Sequence, residues 1–261
     1  MSGSPVATSV HPTALVAPEA ELGVGVGIGP FAVVEAGARI GDGCVLHAHA
    51  IVRARTTLGA RSVVHPFAVL GGEPQDRRHA GEPTRVEIGS DNVFREHVTV
   101  HAGTDRGGGV TRVGRGGLFM ASAHVAHDAI VGDGVTLANA TLLGGHVVIG
   151  DHVVTGGQVA VAPFVRVGAR AFLAGGAMVE QDVPPFVIVA GDRARVRALN
   201  KVGLERGGVP LPSRSALESA FRALFRGDST RRLAAAALVD HDDPYVRELA
   251  RFVLEPRIAR P

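Results

Sequence analysis

Residues 28–52 read IGPFAVVEAGARIGDGCVLHAHAIV, and their aliphatic members Ile28, Val34, Ile40, Leu46 and Val52 stand six apart. Four places after each of the first four comes a small residue: Ala32, Ala38, Cys44 and Ala50. A period of six fits neither the 3.6 residues of a helical turn nor the two of an extended strand. It marks a parallel β-helix in which each hexapeptide is a short strand and a turn, and three hexapeptides make one triangular coil. The aliphatic residue points to the axis and the small one fits near a corner.

Outward from that stretch the period holds from Val10 to Leu70, resumes at Ile88, Phe94 and Val100, and runs again from Val113 to Val179. Thr155 is the one station that is not apolar. The 26 stations make nearly nine coils, and at about 4.8 Å per coil the prism is roughly 40–45 Å long. Its interior is one side chain deep, which accounts for a chain that is 46% hydrophobic yet 4% aromatic, with no Trp. The repeat leaves the handedness open: crossovers are nearly always right-handed, while hexapeptide repeats of this kind resemble the known left-handed exception.

The β-helix is expected over residues 1–190. Two polar, Gly-rich segments, 71–87 and 101–112, leave the period and read as loops projecting from it. Pro184 and Pro185 mark the exit, and Ala216–Phe225, Thr230–Val239 and Tyr245–Leu254 carry helical spacing, so residues 191–261 are assigned to a small α-helical C-terminal domain.

A net charge of +2 from 27 basic and 25 acidic residues argues against a nucleic-acid binder. No apolar run approaches the roughly 18 residues that cross a membrane. The opening MSGSPVATSV has neither the basic nor the apolar region of a signal peptide. Cys44, the lone cysteine, sits at a small-residue station, reads as packing, and fits a reducing cytoplasm. Lys201 is the one lysine, so the basic side chains are nearly all Arg, suited to phosphate and carboxylate.

Twelve histidines stand out in so aliphatic a chain, and they crowd at AHVAHD, residues 123–128, with His101 before it and His146 one coil after His127. An imidazole at a groove is a natural general base for a hydroxyl nucleophile. The plainer alternative is that these histidines occupy solvated turns.

The segments HPTALV (11–16), QDRRHAGEPTRVEIG (75–89), REHVTVHAGT (95–104), AHVAHD (123–128), LANATLLGGHV (137–147) and QDVPPFVIVAG (181–191) resemble the acyl-carrier-protein:UDP-N-acetylglucosamine O-acyltransferases that begin lipid A biosynthesis. The resemblance spans nearly the whole chain. It implies a mainly β protein, a left-handed parallel β-helix forming a homotrimer, with active sites between subunits. It also implies that a fatty acyl chain, 3-hydroxylated, passes from acyl carrier protein to the 3-hydroxyl of UDP-N-acetylglucosamine, with no metal or redox cofactor.

By the resemblance, His127 is the general base, Asp128 orients it, and the Gly145 amide stabilises the oxyanion. His124 and His146 line the cleft. Asp76 holds sugar hydroxyls, and Arg78 and His101 lie near the diphosphate or sugar. Gly175 limits acyl-chain depth. Arg193, Asn200 and Arg206, within a cluster that includes Arg195, Arg197 and Lys201, meet the nucleotide and the phosphopantetheine. Adjacent residues on a strand face opposite ways, so pairing His127 with Asp128 requires a corner there. The chain departs from the family at Ala162 and Arg193, where histidines are usual, and at Gly207, where an arginine is. Two other readings remain: a zinc enzyme resembling the hexapeptide carbonic anhydrases, drawing on His101, His124, His127 and His146, and a non-catalytic paralogue that binds nucleotide sugar or carrier.

Overall fold

A computed structural model describes residues 7–256 and residue 258; residues 1–6, part of the segment expected not to be a signal peptide, lie outside the described residues. The chain winds as a left-handed parallel β-helix whose three faces are sheets of eleven, nine and eight strands. Most strands are two residues long, and along the prism they pair with the strand three places on. Ser9 lies against Gly27 on the first face, Leu15 against Val33 on the second and Glu21 against Arg39 on the third.

The aliphatic stations fill the axis: Ile28, Val34, Ile40, Leu46 and Val52 are each 4% exposed or less, and Ala32, Ala38, Cys44 and Ala50 are fully buried beside them. The Cys44 thiol donates to the Gly59 carbonyl at 3.2 Å, consistent with a packing role. Thr155 is tolerated inside because its hydroxyl meets that of Thr141 at 2.7 Å and accepts from the Ala138 N–H at 2.9 Å. A buried hydroxyl so satisfied escapes most of the desolvation cost. Successive coils touch backbone to backbone: a Cβ on Gly59 would overlap the Gly89–Ser90 peptide.

The corners turn through left-handed backbone at residues that are often not glycine, including Phe31, His49, Phe67 and Asp128, with φ of 58°, 61°, 64° and 60°. Each such residue costs roughly 1 kcal/mol or more, and the surrounding coils hold it there.

The two interruptions are trimmed by the sheets. The first is irregular only between strands Val69–Gly72 and Arg85–Ile88; the second, between Thr99–His101 and Val110–Val113, contains a single 3-10 turn, Asp105–Gly107.

The ends of the prism differ. At the start Val10 and Leu15 are 45% and 68% exposed. At the far end the strand Val187–Ala190 is covered by Arg195–Leu199, the one antiparallel pairing of the described residues. The helices therefore begin at Lys201, not at residue 191. They are α1 (Lys201–Arg206), α2 (Leu211–Arg226), α3 (Arg231–Ala236) and α4 (Pro244–Leu254). The short α1 has no apolar periodicity to announce it; Asn200 caps it, its Oδ1 accepting from the Gly203 N–H at 3.0 Å. Tyr245 of α4 packs edge-on against the buried Phe186, and Arg166 lies over Phe252 at 4.7 Å while pairing with Asp182 and Glu255.

Candidate active site

Strand His124–Val125 belongs to the second face and Ile130–Val131 to the third, so His127 and Asp128 form the corner between them. That turn sets two neighbours in the sequence side by side: His127 Nδ1 lies 2.8 Å from Asp128 Oδ2. The Asp128 side chain is 1% exposed. Its Oδ1 accepts from the Thr104 N–H at 2.8 Å and its Oδ2 from the Thr104 hydroxyl at 2.7 Å, while its own N–H donates to Thr111 Oγ1 at 2.8 Å. Burial works to raise the Asp128 pKa, but the hydrogen bonds from His127 and Thr104 hold it below the usual carboxylate range. An ionised carboxylate only accepts, so Nδ1 of His127 donates to it, and in the neutral imidazole Nε2 is then the nitrogen that carries the lone pair.

One coil on, the His146 ring stands perpendicular to that of His127, centroids 5.3 Å apart, and is stacked on Phe164 at 4.4 Å. Gly145 abuts the base: a Cβ there would come within 2.6 Å of His127 Cε1, so any side chain would displace the imidazole. The Gly145 carbonyl accepts from the Phe164 N–H at 3.1 Å, while its own N–H donates to no acceptor among the described residues.

On the other side His101 and His124 meet edge to face at 4.9 Å, and His124 Nδ1 is 2.7 Å from the Thr99 hydroxyl. The Asp76–Arg78 ion pair, with Nη2–Oδ2 at 2.9 Å, stands in the loop above, close enough for the fields of both residues to reach His146. Hydrogen bonds from the Arg78 side chain and amide pull the Asp76 pKa down to about 2. One edge of the prism thus gathers Asp76, Arg78, His101, His124, His127, Asp128, Gly145 and His146.

The other candidate residues lie elsewhere in the same chain. Gly175 is at the corner of the first and second faces, between strands Phe172–Leu173 and Met178–Val179. Arg193 stands in the turn after Val187–Ala190, 3.7 Å from Glu180. Asn200 and Arg206 line a concavity of about 680 Å³ beside the first face, with His152, Arg170 and Phe172. The Asn200 amide is spent on structure, since Nδ2 also donates to the Arg170 carbonyl at 2.9 Å. Ala162 is partly buried against the core.

Thr99, Thr104, Thr111 and Phe164 were not singled out by sequence. A loop threonine carries no signature of its own, and only the folded contact of Thr104 with Asp128, 24 residues away, reveals it.

Among the described residues one group could hold a cation: His127, Asp128 and His146, with donor atoms within 4.8 Å of one another. It is a poor zinc set, because its one carboxylate already accepts three hydrogen bonds, two from Thr104 and one from His127.

Burial pushes the pKa of His101 down to about 4, with His124 and His127 adding to it, and burial likewise lowers His124 and His146. In the unfolded chain these imidazoles take up protons below about 6.5 that the folded protein refuses, so stability falls as the pH drops from about 6.5 towards about 4. The thermal midpoint should be lower near pH 5 than near pH 7, and His101→Gln should shrink the difference. A midpoint that stays flat across that interval would contradict the assignment.

A family model described as Udp N-acetylglucosamine O-acyltransferase, domain 2, matches residues 182–260, and one described as bacterial transferase hexapeptide (six repeats) matches residues 37–72. The curated acyl-[acyl-carrier-protein]–UDP-N-acetylglucosamine O-acyltransferase of Alkalilimnicola ehrlichii is 49% identical over 250 residues, 94% of this chain and 96% of that protein. Its namesake from Thiobacillus denitrificans is 47% identical over 230 residues, 88% and 89% of the two chains. Among solved structures, the UDP-N-acetylglucosamine acyltransferase from Campylobacter jejuni matches with a TM-score of 0.91 at 35% identity, covering 97% of this chain and all of that one. The Moraxella catarrhalis UDP-N-acetylglucosamine O-acyltransferase gives 0.90 at 36%, covering 94% and 96%.

Proposed function

Because this chain belongs to the acyl-[acyl-carrier-protein]–UDP-N-acetylglucosamine O-acyltransferase family, we propose that His127 removes the proton from the sugar 3-hydroxyl as that oxygen attacks an acyl thioester. The protein is an acyltransferase, and its reaction opens lipid A biosynthesis. The donor is a fatty acyl chain, 3-hydroxylated in our reading, on the phosphopantetheine of acyl carrier protein. The acceptor is UDP-N-acetylglucosamine.

The observation that carries the mechanism is the 2.8 Å contact between His127 Nδ1 and the buried Asp128 carboxylate. It leaves Nε2 as the proton acceptor and stabilises the imidazolium that forms. The new C–O bond creates an oxyanion on the former thioester carbonyl, for which the unspent Gly145 N–H is the candidate donor. Collapse breaks the C–S bond; the thiolate leaves and takes the proton from the imidazolium, so the base ends as it began. Asp76 and Arg78 would meet the sugar and diphosphate, His101, His124 and His146 the walls of the cleft. Gly175, with no side chain, would leave room for a long acyl chain. No metal enters the chemistry.

Arg193 and Arg206 are assigned to the nucleotide and phosphopantetheine of a site on a neighbouring chain, with Asn200, whose amide caps α1 and ties it to Arg170, shaping that wall, which makes a homotrimer part of the proposal. Two faces of the prism support it. The outward residues of the first face include Val45, Val154 and Phe172, and those of the second Ile51, Leu142 and Met178; several are more than a third exposed. The third face is instead laced with ion pairs such as Glu21–Arg39 and Glu87–Arg112. Burying the two apolar faces around a three-fold axis sets the His127 edge of one copy beside the Arg206 edge of the next. We assign the reaction to the cytoplasm; among the described residues no helix is long and apolar enough to cross a membrane.

Co-expression of His127→Ala and Arg206→Ala chains tests the shared site. Each variant alone should be nearly inactive, and random mixed trimers should regain about a quarter of the parental sites, because one interface arrangement in four pairs two intact halves. Mixed trimers no more active than either variant would rule the shared site out. Mass spectrometry of the product from mixed-length 3-hydroxyacyl carriers and UDP-N-acetylglucosamine reads the acyl length and the acceptor atom.

A further inference from the structure

We propose that Thr104 is a positioning residue for acyl transfer, acting through Asp128 on His127; this rests on the reading of His127 as the base. The loop after strand Thr99–His101 folds onto the catalytic corner and grips one carboxylate twice. The Thr104 N–H donates to Asp128 Oδ1 at 2.8 Å and its hydroxyl to Oδ2 at 2.7 Å, the oxygen that also accepts from His127 Nδ1 at 2.8 Å. With its O–H directed at the carboxylate, the Thr104 hydroxyl accepts from the Gly107 N–H at 3.1 Å. A directed line therefore runs from the Gly107 amide through Thr104 to Oδ2, where the imidazole meets it from the other side.

Thr104 and Asp128 are both 6% exposed, so water does not replace a lost donor cheaply. The Gly107 backbone lies so close to the carboxylate that a Cβ there would overlap it. Asp128 is also left-handed, with φ at 60°, and its amide is tied to Thr111 at 2.8 Å. Backbone and side chain are thus fixed from the same loop and the strand that follows it. Remove the hydroxyl and Oδ2 keeps the His127 imidazole and, at 3.6 Å, His146 Nε2, which can then compete with His127 for it; the carboxylate, still held at Oδ1 by the Thr104 N–H, no longer fixes the line on which Nε2 of His127 faces the sugar hydroxyl. Because the Thr104 side chain faces the buried acid and not the cleft, substrate affinity should not depend on it.

The test uses the full-length protein with 3-hydroxyacyl carrier and UDP-N-acetylglucosamine. Thr104→Val should lower kcat by about 10–100-fold, the effect of losing one hydrogen bond to a buried carboxylate, with KM for both substrates within about twofold. Thr104→Ser, which keeps the donor, should recover activity to within about threefold of the parent. Gly107→Ala keeps the hydroxyl but pushes the loop off the acid, and should reproduce the valine phenotype even if the valine variant itself fails to assemble. In an Asp128→Asn background Thr104→Val should cost nothing further, since both changes then act through one group. Full activity of Thr104→Val, a loss confined to KM, or a full-sized loss in the Asp128→Asn background would each overturn the proposal. A parent that transfers no acyl group would instead overturn the functional reading and this one with it; an active parent beside an unaffected Thr104→Val overturns this one alone.

Discussion

A His127→Ala variant is expected to turn over about 10²–10⁴ times more slowly than the parent, the usual worth of a positioned general base. Its KM for UDP-N-acetylglucosamine should stay within a few-fold, because the groups assigned to the sugar and diphosphate, Asp76 and Arg78, form their own ion pair in the loop above. Activity should not fall to zero. Removing the base leaves the Gly145 amide and substrate positioning untouched, and these retain part of the rate enhancement. Gly145→Ala should damage the same step by another route, since its Cβ would lie 2.6 Å from the imidazole and push it aside. Steady-state kinetics on the assembled protein decide the matter: turnover of His127→Ala at the parental rate would remove His127 from the mechanism.

The largest loss of stability should follow Phe94→Ala. Phe94 and Phe119 are fully buried on successive coils of the first face, stacked with centroids 4.7 Å apart, and they fill the prism next to the two loops. A Phe-to-Ala change in a core costs about 3–5 kcal/mol, which for a chain of this size lowers the thermal midpoint by roughly 6–20 °C. The interior is one side chain deep, so no second layer can close over the cavity. Phe94→Leu should cost less than half as much. Calorimetry or thermal circular dichroism measures both; an alanine variant within about 2 °C of the parent would mean that the coil repacks freely.

The repeat made the prism legible, though not its hand, because a six-residue period points to a three-sided coil and each station, from Ile28 to Val52 and on to Val179, could be assigned inward without knowing the rest. Thr155 broke the pattern in sequence but not in space, since a second buried threonine, Thr141, satisfies it. The site was legible in part. Histidines crowd in AHVAHD whatever the fold, but whether His127 and Asp128 face each other depended on a left-handed corner at Asp128. Thr104 was out of reach because its role is a contact between a projecting loop and that corner. The strand Arg195–Leu199 escaped because three charged or small residues in five hide its alternation, and α1 because one and a half turns are too short to show a period.

The prism's unequal ends, an exposed first coil and a far end closed by an antiparallel strand and helices, bear on how the chain is made. In a stack where each coil contacts only its neighbours, stability is a sum along a line and structure can grow from an edge. The amino end leaves the ribosome first, so each newly emerged coil finds the open strands of the previous one as its template. The segment that stops this growth, Arg195–Leu199 with the helices after it, is synthesised after the coils it caps. Elongation of the sheet and elongation of the polypeptide thus run in the same direction, and the terminator arrives only after the last coil is in place.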